Sequence, residues 1–284
     1  MHKPTIGLAL SGGGARGLAH LGVLKVLEEA GITIGWIGGA SMGGLIAAAY
    51  ACGASLADLE ERAVRLARPR ELLRLIDISK ERRGLMEGAR LRNYLADLFL
   101  ERHFEDTRIP LVIPCVDIIT SREVVFTSGL VFPAVLGTIA VPGLFQAVEF
   151  GPYRLVDGGI LNNLPVDRVR ELGADIVIAV DVQINPLREK PWQDLPEKRR
   201  FPAPLPGFFW DFYRAELIMI AELTRIHLER HPPDLLLCPP LPPDLDMFLG
   251  FPRIPEAIAA GEACARAALP QIWQIIKGAE EKLA

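Results

Sequence analysis

The amino-acid sequence predicts a three-layer α/β fold, in which a mainly parallel sheet lies between helices. The apolar run at residues 5–10 ends at three glycines, as a buried parallel strand before a tight turn would. Apolar residues then recur at helical spacing up to Gly31, and a second apolar run at residues 32–37 precedes a helix-like segment at residues 45–51. Strand, helix, strand and helix in this order indicate parallel pairing of the two strands.

The rest of the chain continues the alternation of helices and strands. Further helices are predicted at residues 56–74, 89–99, 132–139, 166–172 and 216–231, with a helix pair at residues 254–273. Further strands are predicted at residues 111–117, 123–127, 176–182 and 235–238, and a hairpin at residues 147–150 and 153–156.

No sequence repeat or clean linker divides these elements, so residues 1–284 are predicted to form a single domain. Its core motifs lie within residues 5–183. Residues 185–213 are rich in proline and charge and then in aromatic residues, which is typical of a lid or a loop insertion. Residues 214–284 are predicted to form helices that pack on the core.

Composition excludes some classes of partner. Half of the residues are apolar, which is enough for a sizeable core, and the net charge is −4. Nucleic acid is not an expected partner, because phosphate binding needs a basic surface. The four cysteines are far apart and form no pair with metal-ligand spacing, so they are predicted to be reduced thiols and not zinc ligands. No metal or other cofactor is expected.

Residues 39–43, Gly-Ala-Ser-Met-Gly, have the form G-x-S-x-G and lie between the second predicted strand and its helix. A sharp turn at this point would project the hydroxyl of Ser41 towards a substrate. The flanking glycines allow the close packing that such a turn requires. The pattern indicates a nucleophile only if the chain also supplies a base and an oxyanion site.

Residues 12–17, Gly-Gly-Gly-Ala-Arg-Gly, fit two kinds of site. A dinucleotide-binding loop would need an acidic residue about 20 positions further on, yet the second strand leads into Ser41 instead. Leu18 follows Gly17, which excludes the lysine of a P-loop. Backbone N–H groups beside a nucleophilic serine are better suited to an oxyanion hole. Nucleotide binding by this loop remains the alternative function.

The base for Ser41 must be a histidine or a carboxylate within hydrogen-bond reach. None of the five histidines lies in a glycine-rich turn after a predicted strand. Asp157 does, because Asp157-Gly158-Gly159 directly follows the predicted hairpin. Asp157 is therefore the candidate base.

The glycine loop, the serine turn and the Asp157 turn resemble, in this order, the three motifs of patatin-like phospholipases. Residues 140–145, Ala-Val-Pro-Gly-Leu-Phe, resemble the segment before the aspartate loop of that family, and residues 163–166 and 172–175 resemble the segments after this loop. The likeness covers residues 5–183 and continues more loosely through residues 256–267. It implies the patatin-like hydrolase fold.

The resemblance also implies a Ser–Asp dyad, in which Ser41 is the nucleophile and Asp157 the general base. The implied reaction is hydrolysis of acyl esters of phospholipids or lysophospholipids through an acyl-serine intermediate. The groups near the oxyanion would come from the glycine loop and from the residue after the serine: the N–H groups of Gly12, Gly13 and Gly14, with Arg16 near them, and the N–H of Met42.

A dyad needs a carboxylate that is more basic than usual. The pKa of a free aspartate is about 3.9, which makes it a weak base towards a serine hydroxyl. Burial would raise that pKa. We therefore expect a hydrophobic environment around Asp157.

A lipid or another acyl ester is the expected substrate, and two segments are candidates for transient contact with a membrane surface. The first is the arginine-rich stretch at residues 62–83, for which a solvated helix face is the favoured interpretation and a membrane-surface patch the alternative. The second is the aromatic cluster at residues 208–213, which fits a buried helix start as well as a lipid-facing lid. We expect a cytoplasmic protein that is peripheral to the membrane at most, because neither a spanning helix nor a signal peptide is evident. A regulatory protein of the same fold with low turnover is a further alternative. The sequence does not define an oligomeric state.

Overall fold

The computed structural model describes most of the chain. The described residues are 3–77, 84–184, 207–242, 245–247 and 250–283. Residues 185–206 of the predicted lid lie outside them, whereas its last residues, 207–213, form the start of a helix.

The centre of the fold is a mainly parallel sheet, as predicted. In the described residues it has eight strands: β1 (Ile6–Leu10), β2 (Ile34–Gly39), β3 (Leu111–Asp117), β4 (Arg122–Phe126), β5 (Val148–Phe150), β6 (Tyr153–Asp157), β7 (Ile176–Val180) and β8 (Leu235–Leu237). The strand order is β5-β6-β3-β2-β1-β7-β8, and β4 also pairs with β3. The pairs from β3 to β8 along this order are parallel, whereas β4, β5 and β6 form antiparallel pairs at the other edge.

Helices cover both faces of the sheet and complete the three layers. They are α1 (Ala19–Glu29), α2 (Ser41–Ala51), α3 (Leu56–Leu66), α4 (Pro69–Leu75), α5 (Ala89–Phe99), α6 (Val131–Thr138), α7 (Gly159–Asn162), α8 (Val166–Glu171), α9 (Gly207–Arg230) and α10 (Ile254–Leu283). Successive side chains of a strand point to opposite faces. Leu8 and Leu10 of β1 accordingly pack with α1, α2 and α10, whereas Ala9 packs with α8 on the other face.

The topology brings the three sequence motifs together. β1 ends at the glycine loop and β2 ends at the serine turn, and these strands are parallel neighbours. β6 runs antiparallel to β3 and ends at Asp157, which pairs with Cys115. Gly13, Ser41 and Asp157 therefore line one small cavity.

The helix predicted at residues 56–74 is in fact two helices, α3 and α4. Arg68 is extended, with φ −81° and ψ 120°, and Pro69 opens α4. A residue before proline is disfavoured in the helical conformation, whereas proline suits the first turn of a helix. The single helix predicted from the apolar spacing is therefore wrong at this point.

The predicted C-terminal helix pair was also wrong, because α10 is one continuous helix with Pro270 inside it. Its first half packs closely on α1. A Cβ at Gly22 would meet the backbone of Ile258, and one at Gly261 would meet the backbone of Ala19. This close packing fixes the start of α1, and hence the glycine loop that precedes it.

The described part of the arginine-rich stretch lies mostly on exposed helix faces. Arg62 pairs with Asp97 at 2.7 Å, and Arg74 pairs with Glu71 at 2.8 Å. Residues 78–83 lie outside the described residues. Within the described residues, no helix combines the length and the apolar character needed to cross a bilayer.

Candidate active site

Ser41 lies at a strained turn between β2 and α2, as the G-x-S-x-G pattern predicted. Its φ is +52°, in the left-handed region that side chains other than glycine rarely adopt. Ala40 before it is extended. A Cβ at Gly43 would run into the carbonyl groups of Leu10 and Ser11, so only glycine lets the turn pack against the end of β1. The serine is 7 % exposed and lines two cavities.

Thr138 holds the serine turn from the end of α6. The N–H of Ser41 donates to Thr138 Oγ1 at 3.0 Å, and this hydroxyl donates to the carbonyl of Pro114 in β3 at 2.8 Å. Thr138 is fully buried. The sequence analysis missed this residue, although a lone hydroxyl in the otherwise apolar α6 was the available signal.

Asp157 is buried beside Ser41. The residue is 6 % exposed, and its Oδ1 accepts the N–H of Gly159 at 2.8 Å. Burial raises the pKa of Asp157 to about 7, and hydrogen bonds from the Ser41 hydroxyl and the Gly159 N–H only partly oppose this. Asp157 is thus buried, as expected, but its surroundings combine apolar side chains with the polar side chains of Asn163 and Glu216.

The glycine loop approaches the serine with two of its three predicted N–H groups unengaged. The N–H of Gly12 donates to the carbonyl of Asn163 at 3.1 Å, so it is already used within the fold. Within the described residues, the N–H groups of Gly13, Gly14 and Met42 have no hydrogen-bond acceptor. These three are therefore the remaining candidates for oxyanion donors.

Arg16 anchors the loop from within the protein. Its side chain is 2 % exposed, and it donates to the carbonyls of Val182 at 2.8 Å and Leu245 at 3.3 Å. The geometry gives its guanidinium a supporting position, in which it ties the glycine loop to the residues after β7 and to residue 245.

His20 supports the same loop and does not face Ser41 as a base. It is fully buried, and its Nε2 lies 2.8 Å from the carbonyl oxygen of Ser11. Burial lowers the pKa of His20 to about 4, so the ring is neutral at physiological pH. The position of His20 agrees with the prediction that no histidine is the base for Ser41.

An apolar cavity of about 180 Å³ opens beside Ser41. Its described lining side chains carry no formal charge and come from α2 to α5, the segment after α6 and the residues before α10. They are Ser41, Met42, Leu45, Leu66, Leu72, Leu75, Ile76, Met86, Leu91, Tyr94, Leu95, Ile139, Val141, Leu144, Phe145, Met247 and Phe251, together with Gly14. Such a cavity suits an alkyl chain, because burial of apolar surface is its main source of binding energy.

A second cavity, of about 30 Å³, lies on the Asp157 side of the serine. Its polar groups belong to Ser41, Asp157 and Asn163, and to Tyr213 and Glu216 of α9. The two cavities thus meet at the serine and differ in chemical character.

Glu216 is the second residue that the sequence analysis missed. Burial, and then the negative charge of Asp157, raise the pKa of Glu216 to about 7. The available signal was its position on the inward face of α9, at helical spacing from Tyr213 and Ile220.

The predicted aromatic cluster at the start of α9 has one buried and one exposed side. Tyr213 is buried, whereas Phe212 is 52 % exposed.

A serine at a strained strand–helix turn, next to a buried carboxylate and free backbone N–H groups, has the arrangement of a serine hydrolase site. A family model described as patatin-like phospholipase matches residues 8–170, which is more than half of the chain. The chain belongs to the patatin-like phospholipase family, as its three motifs predicted.

Similar sequences include fungal, human and bacterial proteins. The chain is 39 % identical over 180 residues to lysophospholipase NTE1 of Mycosarcoma maydis, covering 63 % of this chain and 10 % of that protein. It is 35 % identical over 182 residues to human patatin-like phospholipase domain-containing protein 6, and the match covers 63 % of this chain and 13 % of the human protein. An uncharacterised NTE family protein of Mycobacterium bovis is 34 % identical over 180 residues, with coverage of 63 % and 49 %. The chain thus matches less than half of the length of each of these relatives.

Two solved structures of bacterial proteins align with this chain at low TM-scores. The type III effector protein ExoU aligns with a TM-score of 0.44 and 16 % identity, over 95 % of this chain and 53 % of that chain. VipD from Legionella pneumophila aligns with a TM-score of 0.39 and 14 % identity, over 99 % and 77 % of the two chains.

Proposed function

We propose that this protein hydrolyses acyl esters of phospholipids or lysophospholipids through an acyl-serine intermediate. The observation that carries the proposal is that Ser41, at its strained turn, lies between the buried Asp157 carboxyl and the apolar cavity. Membership of the patatin-like phospholipase family supports a lipid ester as the substrate. One similar protein is named a lysophospholipase, which supports the same class of substrate.

In the first step, Ser41 Oγ attacks the ester carbonyl carbon and its proton passes to Asp157. A base with a pKa of about 7 accepts this proton better than an ordinary aspartate would. Asp157 then returns the proton to the departing alkoxide. The acyl group is left on Ser41, and water later hydrolyses it with Asp157 again as the base.

The N–H groups of Gly13, Gly14 and Met42 are the proposed oxyanion donors. Each lacks an acceptor within the described residues, and each belongs to the loop or the turn that meets Ser41. Donors that are fixed before the reaction stabilise the developing charge without reorganisation. In this scheme Arg16 acts indirectly, by holding the loop through its hydrogen bonds to two carbonyls.

The acyl chain of the substrate is proposed to occupy the apolar cavity. The chain would contact leucine and methionine side chains there, and the leaving alcohol would lie on the Asp157 side. This orientation places the leaving oxygen next to the group that must protonate it.

The test is a panel of p-nitrophenyl esters, phospholipids and lysophospholipids, with the Ser41→Ala and Asp157→Asn variants as blanks. We expect both variants to lose about 10,000-fold or more in kcat/KM, as is usual for residues of a nucleophile–base unit. A fluorophosphonate probe should label the wild type at Ser41 only.

Ser121→Ala is the matched control. Ser121 is exposed and also has a positive φ, of +57°, but it lies in a turn after β3, away from both cavities. Its replacement should leave activity unchanged. Full activity of the Ser41→Ala variant would exclude the proposed nucleophile. An unlabelled and inactive wild type would favour a regulatory protein, and a thermal shift with NAD or ATP would favour nucleotide binding.

A further inference from the structure

Glu216 brings a second carboxyl group to the cavity that contains Asp157. α9 packs against α7, the short helix after the Asp157 turn, and Glu216 lies on the inward face of α9. Its carboxyl shares the lining of the cavity of about 30 Å³ with Ser41 and Asp157. The proton-transfer scheme above does not use this group.

The surroundings of Glu216 give it no structural partner. Among the described residues, the influences on its carboxyl are burial and the charge of Asp157, with no hydrogen bond, and Leu217 and Ile220 line the cavity beside it. Glu216 is half-buried, and this desolvation disfavours the charged form of its carboxyl. Its position beside Ser41 and Asp157 makes the carboxyl available to a ligand in the cavity.

The size of the cavity limits the ligands that it can hold. A volume of about 30 Å³ exceeds the roughly 10–15 Å³ that one water molecule needs, so the cavity can hold a water. A buried water needs between about two and four polar partners. Asp157, Glu216 and Asn163 supply polar side chains around this space.

The two carboxyl groups are also electrostatically suited to hold one water. The charge of Asp157 contributes to the raised pKa of Glu216, since ionising a second carboxyl beside the first is unfavourable. When Asp157 is ionised, its charge therefore favours the protonated form of Glu216. One carboxyl can then donate a hydrogen bond to the water while the other accepts one from it.

We propose that Glu216 positions the water that hydrolyses the acyl-enzyme. This inference rests on the proposed function, because it concerns the second half of the same reaction. The acyl group on Ser41 extends into the apolar cavity, so water approaches the carbonyl carbon from the Asp157 side. The water oxygen bonds to that carbon and its proton passes to Asp157. The bond from the carbon to Ser41 Oγ then breaks, and Asp157 returns the proton to Oγ.

The experiment separates acylation from deacylation with a p-nitrophenyl ester. Release of p-nitrophenolate reports acylation and needs little help from an acid, whereas later turnover requires water. For Glu216→Leu we expect acylation within about twofold of the wild type, with deacylation about 30-fold slower, as is typical when a positioned group is lost. The variant should therefore show a burst of one equivalent, and mass spectrometry should detect the acyl-enzyme.

Two further variants make the test specific. Glu216→Gln keeps a hydrogen-bonding side chain of the same size and should recover a large part of the deacylation rate. Glu222→Leu changes an exposed glutamate on the same helix and should behave as the wild type. Hydroxylamine, a nucleophile that is stronger than water, should restore turnover of the Glu216→Leu variant.

The possible outcomes are distinct. Equal losses in acylation and deacylation for Glu216→Leu would indicate a structural role and overturn the proposal, as would wild-type rates in both steps. A wild type that forms no acyl-enzyme would overturn the proposed function together with this inference. A wild type that is acylated at Ser41, combined with an unaffected Glu216→Leu variant, would overturn the role of Glu216 alone.

Discussion

The two cavities that meet at Ser41 are built in different ways. The larger, of about 180 Å³, is walled partly by α4, in which no residue is buried. The smaller, of about 30 Å³, contains Asp157, which is held by strand pairing and by the N–H of Gly159. An alkyl chain gains binding energy from the area that it buries, so a loosely packed wall is sufficient for it. Proton transfer depends on the position of the base within a fraction of an ångström. In the smaller cavity, strand pairing and the Gly159 N–H fix the position of Asp157.

This difference has a consequence for mutagenesis. Substitutions at the serine turn or in the smaller cavity should affect every substrate, because each ester passes through the same proton transfers. Substitutions in the larger cavity should affect substrates according to the length of their acyl chain. The comparison can therefore be tested by measuring short-chain and long-chain esters side by side.

Thr138→Val should have the largest effect among the variants outside the dyad. Valine keeps the shape of threonine but leaves the N–H of Ser41 and the carbonyl of Pro114 without their partner. The serine turn would lose its fixed position, and a small misplacement of a nucleophile can cost about 100-fold in rate. We expect this loss in kcat/KM for butyrate and decanoate esters alike. A loss confined to the long-chain ester would contradict the assigned role of Thr138.

Leu72→Trp should have a smaller and chain-dependent effect. Leu72 lines the larger cavity from α4, and an indole there would fill part of the space for the acyl chain. We expect kcat/KM to fall about tenfold for the decanoate ester and to change little for the butyrate ester. Leu73→Trp is the control, because Leu73 is its neighbour on α4 but is 50 % exposed. An equal loss on both esters would mean that the larger cavity does not hold the acyl chain.

The sequence was sufficient for most of the fold because its signals are local. Buried parallel strands are short apolar runs, and the helices at residues 89–99 and 166–171 can be predicted from spacing alone. The errors arose at prolines, where tertiary structure decides whether a helix ends or continues. Pro69 follows the end of one helix and starts another, whereas Pro270 lies inside the continuous helix α10.

In the candidate site, the residues in glycine-rich turns could be predicted from the sequence. The residues that tertiary packing brings to the site could not. Ser41 and Asp157 lie in motifs that can be recognised locally. Thr138 lies 97 residues from its hydrogen-bond partner Ser41, and Glu216 is one of many glutamates on helices. Nothing local distinguishes these two residues. The engagement of the Gly12 N–H by Asn163 likewise depends on a contact between distant segments.

The smallest predicted effect concerns the stability that Asp157 contributes at different pH values. The folded-state pKa of Asp157, about 7, lies above its ordinary value of 3.8. The folded protein therefore binds this proton more tightly than the unfolded chain does. The contribution of Asp157 to stability is fully present below its ordinary pKa and is lost as the pH rises through about 7. Between pH 6 and pH 8 the loss is about 1 kcal/mol.

Asp157→Asn removes this titration, because an amide does not ionise. The wild type should lose about 1 kcal/mol more stability than the variant between pH 6 and pH 8, or about 2–4 °C in Tm for a domain of this size. Thermal unfolding of both proteins at the two pH values measures the difference. A variant that follows the wild type over this interval would mean that Asp157 is already ionised at pH 6, in which case burial would not be the source of its basicity. If Asp157→Asn is nearly inactive but more stable than the wild type at pH 8, the ionised Asp157 lowers folding stability while it supports proton transfer.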